Sequence, residues 1–551
     1  GTAGCVLASR LSENAGLRVL LLESGSSGRA LPFSRLPATY VKLYNFPKLV
    51  HNYFTEPQTN AGGKKKFWPR ARMLGGCSSI NAQMAQYGAG GDFDEWATII
   101  GDDSWSWKNF SRYFRKFEDV QEHPDFPNID KTRGRNGPVV VGFNNFVSGW
   151  WNLFVQAGVE AGIPLSKDFN GTDGNTIGIG RVLKRPNLTV AINSTASRVL
   201  FDTTGEKPVA VGVEFAANPE GPFYHVKANR DVVVCAGAVQ SPAVLMLSGV
   251  GPATHLQEKG IAVVKDLQGV GSNLLDHPIV DTYFKHNNTV MTASYLVPQN
   301  IIQVFKLIGA VIQYHVLGRG GALASNYGEA AAFVRTDDPI LFPLSEYPEK
   351  LVDSTSAKNA PDLEYFMTPS AYTDHGRAFF DVPSYSIHCY LVRPTSKGTI
   401  TLNSADPFDH PIIDPKYLQT KEDLAKLVRG FRLACKIAHS EPLNSILEHT
   451  CDRSDLDHFS HLKTDAELEE IVRERVETVY HPTSTCRMAP LEDGGVVDNE
   501  LKVYGIKGLR ICDASIFPNI PSGHTAGACY ATGEKLADIM KAELIADPAK
   551  N

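Results

Sequence analysis

The sequence predicts an α/β protein of more than one domain, with one part wound as βαβ and another built on antiparallel strands. Three observations predict it. Gly1-Thr2-Ala3-Gly4 opens an apolar-periodic helix that is followed by a continuous apolar strand pattern, Leu17 to Leu22. A second run, Asp231 to Gly237, ends a strand in small residues and turns through Ser241-Pro242 into a helix, which proline tolerates in its first turn. The stretch 286–479 carries alternating patterns such as Gly398-Thr399-Ile400-Thr401-Leu402 and a helical run from Asp423 to Ala438. At 551 residues the chain exceeds the ~100–200 of one domain.

Composition narrows the class. With 43% hydrophobic and 21% charged residues and a mean hydropathy of −0.17, the chain reads as globular rather than disordered or fibrous. The net charge of −6 leaves no electrostatic footprint for nucleic acid, and the one cationic run, Lys64-Lys65-Lys66, reads as a solvated loop. The most apolar stretch, Val232 to Gly251, is broken by Gln240, Ser241, Pro242 and Ser248, so it reads as strand, turn and helix and not as a membrane span. Nine cysteines show neither zinc spacing nor a disulfide framework. Sequons at Asn109, Asn170, Asn187, Asn193 and Asn287 matter only for a secreted chain, so the compartment stays open.

The first element fits the later part of a dinucleotide-binding βαβ unit. Gly1 and Gly4 match the last two glycines of G-x-G-x-x-G, where the backbone approaches a pyrophosphate at a helix N-terminus. Glu23 ends the next strand 22 positions after Gly1, near the ~20 expected for an acid on a ribose hydroxyl. The fingerprint's first glycine and first strand are not in the sequence, and an unrelated α/β turn would produce the same short pattern. A Rossmann-like unit also does not separate FAD from NAD.

Three later segments do separate them. Arg70-Ala71-Arg72-Met73-Leu74-Gly75-Gly76-Cys77-Ser78-Ser79-Ile80-Asn81-Ala82 is the first. Gly237-Ala238-Val239-Gln240-Ser241-Pro242 through Gly251 is the second. The third begins at His481-Pro482-Thr483-Ser484-Thr485-Cys486-Arg487-Met488, continues through Leu509 to Ser515, and closes on Ser522-Gly523-His524-Thr525-Ala526-Gly527. Together they resemble the glucose–methanol–choline (GMC) oxidoreductase family, in its order and over nearly the whole chain. The resemblance implies a glutathione-reductase-type, Rossmann-like FAD domain from 1–90, 190–285 and 480–551. It implies connecting or lid segments at 91–189, and an antiparallel-sheet substrate domain at 286–479.

The resemblance nominates site residues one by one. Arg72, Gly76, Asn81 and Ala82 would pass the flavin ring and pyrophosphate; Val199, in Ser197-Arg198-Val199-Leu200, would meet adenine through its backbone. Ala236 would sit at the turn near the cofactor, Asp513 and Ala514 at a strand end where an acid meets a cofactor hydroxyl. Thr525 and Ala526, opening the last helix, would turn N–H groups toward the flavin pyrimidine. Some relatives bond FAD covalently through a histidine where Ile80 stands, so the resemblance implies noncovalent FAD. Cys77 reads as a small buried residue beside the cofactor.

Alcohol oxidation by a flavin requires removal of the hydroxyl proton and passage of a hydride to flavin N5. Histidine suits the base role because its ordinary pKa, ~6.5, lies near working pH. Of 16 histidines, the resemblance singles out His481 as the principal base and His524 as the residue that holds the alkoxide oxygen. His277, in Asp276-His277-Pro278, reads as structural; His51, His388 and His410 have no supporting context. Tyr365, Phe366, Tyr385 and Tyr390 read as core aromatics before pocket ones. The implied partners are a small-molecule alcohol and oxygen or a quinone-type acceptor, with oxidase and dehydrogenase not distinguished.

Two departures keep other readings open. The first βαβ strand is missing, and Gly178-Ile179-Gly180-Arg181 runs almost directly into Arg185-Pro186-Asn187-Leu188, where relatives carry a longer Ser-Ala-Tyr-Leu-like segment. The alternatives are a non-redox lyase or cyclase on the same scaffold, or a truncated homologue with weakened FAD binding.

Overall fold

The computed structural model describes residues 1–14, 16–28, 36–122, 131–143, 149–166, 168–170, 178–181, 192–287, 294–296, 298, 300–317 and 321–546. The departure at Arg185 to Leu188 and the sequon at Asn187 lie outside them.

Alternating sequence in the middle of the chain becomes a six-stranded antiparallel sheet. Its order is Glu477–Thr478, Pro278–Lys285, Ser384–Leu391, Leu363–Thr368, Ala330–Val334, Gly178–Arg181. Strand alternation sorts its side chains. Val280, Phe284, Ile387, Cys389, Tyr365 and Leu363 go to one face and share a core with Leu427, Phe431 and Ala434 of the helix Lys421–Ala438. The helix starts at Thr420, whose hydroxyl accepts from Asp423 N. The rows Ile279–Tyr390–Glu364 and Asp281–His388–Phe366 lie on the other face, matched by register. Pairing also crosses the segment limits expected from sequence: Gly178–Arg181 and Pro278–Lys285 are strands of this sheet although they precede residue 286. Antiparallel partners far apart in sequence leave no local mark.

The dinucleotide-type region sits beneath. The helix Thr2–Leu11 packs on the helix Thr525–Ala546 so closely that a Cβ on Gly533 would lie 2.8 Å from the Ala3 carbonyl. Val232–Val234 pairs in parallel with Leu509–Ile511. A three-stranded antiparallel sheet, Thr195–Asp202, Val209–Ala216 and Tyr224–Lys227, flanks them.

One predicted strand is absent. Leu17 to Leu22 runs without a ladder, with Val19 39% and Leu20 58% exposed. An apolar run becomes a strand only when a neighbour accepts its N–H and C=O groups, and no described strand lies beside it. It is tied at its end, where Ser194 N donates to Glu23 O at 2.7 Å and Asn193 N to Gly25 O at 2.8 Å.

The cationic run is also not wholly solvated. Lys66 is 1% exposed, with Nζ 3.3 Å from Glu477, and Lys64 pairs with Glu474. Asn170 is buried, its amide donating to Ala85 O and accepting from Tyr87 N, so that sequon cannot carry a glycan in the fold. No helix among the described residues is long and apolar enough to cross a membrane.

Candidate active site

A cavity of about 1420 Å³ runs from the dinucleotide region to the underside of the antiparallel sheet. Every residue nominated from sequence lies in its wall. Gly1, Gly4 and Glu23 line one end; Arg72, Gly76, Asn81, Ala82, Val199 and Ala236 follow; Asp513, Ala514, Thr525, Ala526, His481 and His524 complete it. The cavity also continues between Leu17–Leu22 and Val232–Val234.

The two histidines meet although 43 positions separate them in sequence. Their ring centroids are 5.0 Å apart, with planes at 87°. His481 is carried by a loop that folds back on residues 275–279. Glu477 and Thr478 pair with Ile279 and Pro278, and Val479 N donates to His277 O at 3.2 Å. Beyond the histidine, Thr483 N donates to Leu275 O at 2.8 Å. The chain turns at Tyr480, in the left-handed region at φ 65°, and Arg70 donates to the Tyr480 carbonyl at 2.9 Å.

Asp276 fixes this loop from below. Its Oδ1 accepts from His481 N at 2.7 Å, and its Oδ2 accepts from Thr478 at 2.5 Å and from the Tyr417 hydroxyl. Burial raises its pKa, and these donors pull against that. His277, fully buried, sets its Nδ1 3.0 Å from Nδ1 of His481. Burial lowers the pKa of His481 well below the ordinary value, aided by His524 and His277; burial takes His277 down to about 3. Both rings are therefore neutral near pH 7. His277, read from sequence as structural, touches the ring of the residue nominated as base.

His524 immediately precedes the helix Thr525–Ala546, and its N donates to Gln86 O at 3.1 Å. Its Nε2 lies 3.1 Å from both the Tyr390 hydroxyl and Glu364 Oε1. A carboxylate only accepts, so Nε2 carries the hydrogen. Glu364 and Tyr390 are register partners on adjacent strands, both fully buried. Tyr390 is therefore core and contact to the site at once, Phe366 lines the cavity, and Tyr365 and Tyr385 belong to the core.

Sequence reasoning missed several groups. Asp281 and His388, 2.7 Å apart, line the cavity, with Thr368 on the other nitrogen of His388 at 2.8 Å and Phe366 stacked on its ring at 4.4 Å. His51 and His410, set aside as lacking context, also line it, against Tyr53. One signal was available: Glu364 and His388 stand beside apolar Leu363, Ile387 and Cys389 in strand-like runs, which marks a buried polar network.

The long part of the cavity suits a dinucleotide. Gly76 adopts φ 58°, and a Cβ there would lie 2.7 Å from Gly1 Cα, so only glycine lets these two backbones converge. Gly237 adopts φ 83° with open space where a Cβ would be. Asp513 holds this turn: its Oδ2 accepts from Gly237 N at 2.9 Å and Ser241 Oγ at 2.5 Å, and its Oδ1 from Ser515 N. Arg72 Nε is buried at the wall without a hydrogen-bond partner among the described residues, a donor free to meet an acceptor in the cavity. Val199 lines the cavity with its N–H donated to Ser248 Oγ at 2.8 Å. Cys77 is half-buried in the cavity wall, not enclosed.

Family comparison agrees with this geometry. The GMC oxidoreductase family matches residues 1–182 and 178–279 with its N-terminal part and 394–533 with its C-terminal part. The chain belongs to the GMC oxidoreductase family. It is an enzyme with redox chemistry, and its cofactor is FAD. Dehydrogenase str4 of Strobilurus tenacellus is 35% identical over 98% of this chain and 92% of its own length. The alcohol dehydrogenase [acceptor] of Pseudomonas putida is 32% identical, covering 98% and 94%. Among solved structures, formate oxidase of Aspergillus oryzae superposes with a TM-score of 0.84 at 27% identity, covering 98% and 97%. The GMC match divides near residues 178–182, where the sequence departs from the family pattern.

Proposed function

We propose that this GMC enzyme oxidises the CH–OH group of a small-molecule primary or secondary alcohol to a carbonyl, with His481 as base. The carrying observation is the perpendicular histidine pair at the sheet end of the cavity, each ring held through one nitrogen by a buried partner. His481 is neutral near pH 7 and so able to accept the hydroxyl proton. His524, held by Glu364 and Tyr390, orients the alcohol oxygen. Bound FAD supplies the hydride acceptor. Electrons leave to oxygen or a quinone-type acceptor. The names alcohol dehydrogenase [acceptor] and mitochondrial choline dehydrogenase among the relatives support this donor class.

The flavin is held without a covalent bond. Gly1, Gly4 and Glu23 would hold the ADP half; Arg72, Gly76, Asn81, Ala82, Ala236, Ala514, Thr525 and Ala526 would line the pyrophosphate and flavin. Ile80, 3% exposed at the cavity wall, offers no atom for attachment. Acid precipitation should release all flavin to the supernatant.

His481→Ala tests the base. Under anaerobic mixing with a panel of alcohols, flavin bleaching should slow about 10²–10⁴-fold while FAD content stays at the parent level. Bleaching at the parent rate would overturn the assignment. Flavin that binds in the parent but bleaches with no alcohol would favour the lyase or cyclase reading; a parent without flavin would overturn the redox assignment.

A further inference from the structure

We infer that His277 is a positioning residue that fixes the tautomer of His481, leaving the lone pair on Nε2 for the substrate; this rests on the proposed role of His481 as base. The argument begins with one shared hydrogen. Two imidazoles with their Nδ1 atoms 3.0 Å apart are bonded only if one nitrogen carries a hydrogen and the other does not. If His277 donated, His481 would carry its hydrogen on Nε2 and face the cavity as a donor, unable to take a proton there. If His481 donates, its Nε2 is the free base.

The proposed base role of His481 selects the second case, because its Nδ1 is taken up by His277 and only Nε2 is left for the substrate. The ring of His277 is fully buried, and among the described residues its Nε2 has no hydrogen-bond partner. Its Nδ1 is then the acceptor, and His481 must supply the hydrogen between them.

The neighbouring residue completes the device. Asp276 accepts from the main-chain N–H of His481 at 2.7 Å while His277 accepts from its ring. One dipeptide thus fixes both the backbone and the tautomer of the base. Thr478 and Tyr417 in turn hold Asp276. A histidine free in water prefers the hydrogen on Nε2, which is the wrong form here, and a wrong tautomer is known to be costly in histidine-based catalysis.

Two variants separate this role from simple packing. His277→Asn keeps an acceptor where Nδ1 stands but leaves a void; His277→Leu fills the space but accepts nothing. Tautomer control expects His277→Leu to lose about 10²-fold in the rate of flavin bleaching by alcohol, with KM and FAD content little changed. It expects His277→Asn to stay within about 10-fold of the parent. A packing role expects the reverse order, tracked by thermal stability. In the His481→Ala background, His277→Leu should add no further loss, because the group it orients is gone. Activity of His277→Leu equal to or above that of His277→Asn, or full additivity with His481→Ala, would overturn the inference.

Ring-nitrogen NMR on histidine-labelled enzyme reads the tautomer without turnover. The signals lost in His481→Ala should show the hydrogen on Nδ1 in the parent; a hydrogen on Nε2 would also overturn the inference. This result stands apart from the base assignment, which fails on its own if His481→Ala bleaches at the parent rate.

Discussion

The histidine end of the cavity and the N-terminal nucleotide end differ in how many segments hold each group. At the histidine end, His481 is tied by Asp276 and His277, and His524 by Glu364, Tyr390 and Gln86, all drawn from distant parts of the chain. At the other end, Leu17 to Leu22 carries a strong strand pattern yet no ladder, and Leu20 is 58% exposed. Both ends carry clear sequence motifs. The difference shows that a motif specifies a local conformation, while rigidity comes from partners that saturate its polar groups and cover its apolar ones.

The contrast can be broken by substitution, beginning with the largest effect. Asp276→Ala removes the acceptor for three buried donors and should cost about 3–5 kcal/mol in denaturant unfolding, with activity falling in parallel. Phe284→Ala, in the core between sheet and helix, should cost a similar 3–5 kcal/mol in the same measurement. If either cost less than 1 kcal/mol, the sheet end would not be the rigid one.

Acidification should sharpen the same contrast. His277 and His481 are held neutral in the fold, so at pH 5 the unfolded chain binds more protons than the folded one. Their contribution is complete above the unfolded pKa of ~6.5 and is lost as pH falls below it, by at most about 1.4 kcal/mol per pH unit for each ring. Unfolding midpoints between pH 7 and pH 4 check the sign. A rise in stability on acidification would contradict the buried neutral pair.

Smaller effects belong to the nucleotide end. Asp513→Ala deprives Gly237 N and Ser241 of their acceptor and should cost about 1–3 kcal/mol, with faster FAD loss on gel filtration. Leu20→Ser should change stability by no more than about 0.5 kcal/mol, because the side chain is already largely in water. A large loss at Leu20 would mean that this segment is packed after all.

Much of the site was legible in sequence because its parts are local devices. Glycines at convergent turns, an acid closing a strand, and histidines in polar loops next to Pro482 and Gly523 are each visible within a few residues. Sequence by itself determined the α/β class, the membership expected from ordered motifs, and a part of the residues that line the cavity. It did not show Leu17 to Leu22 as unpaired, because a strand pattern is a half-statement that a neighbour must complete. Nor did it show Glu364 behind His524, or Asp276 and His277 beneath His481. Those contacts depend on antiparallel register between segments up to 205 positions apart, and on a left-handed residue at Tyr480 that turns the loop. Only the tertiary fold decided them, since hydrogen bonds and burial act through space and leave no periodicity along the chain.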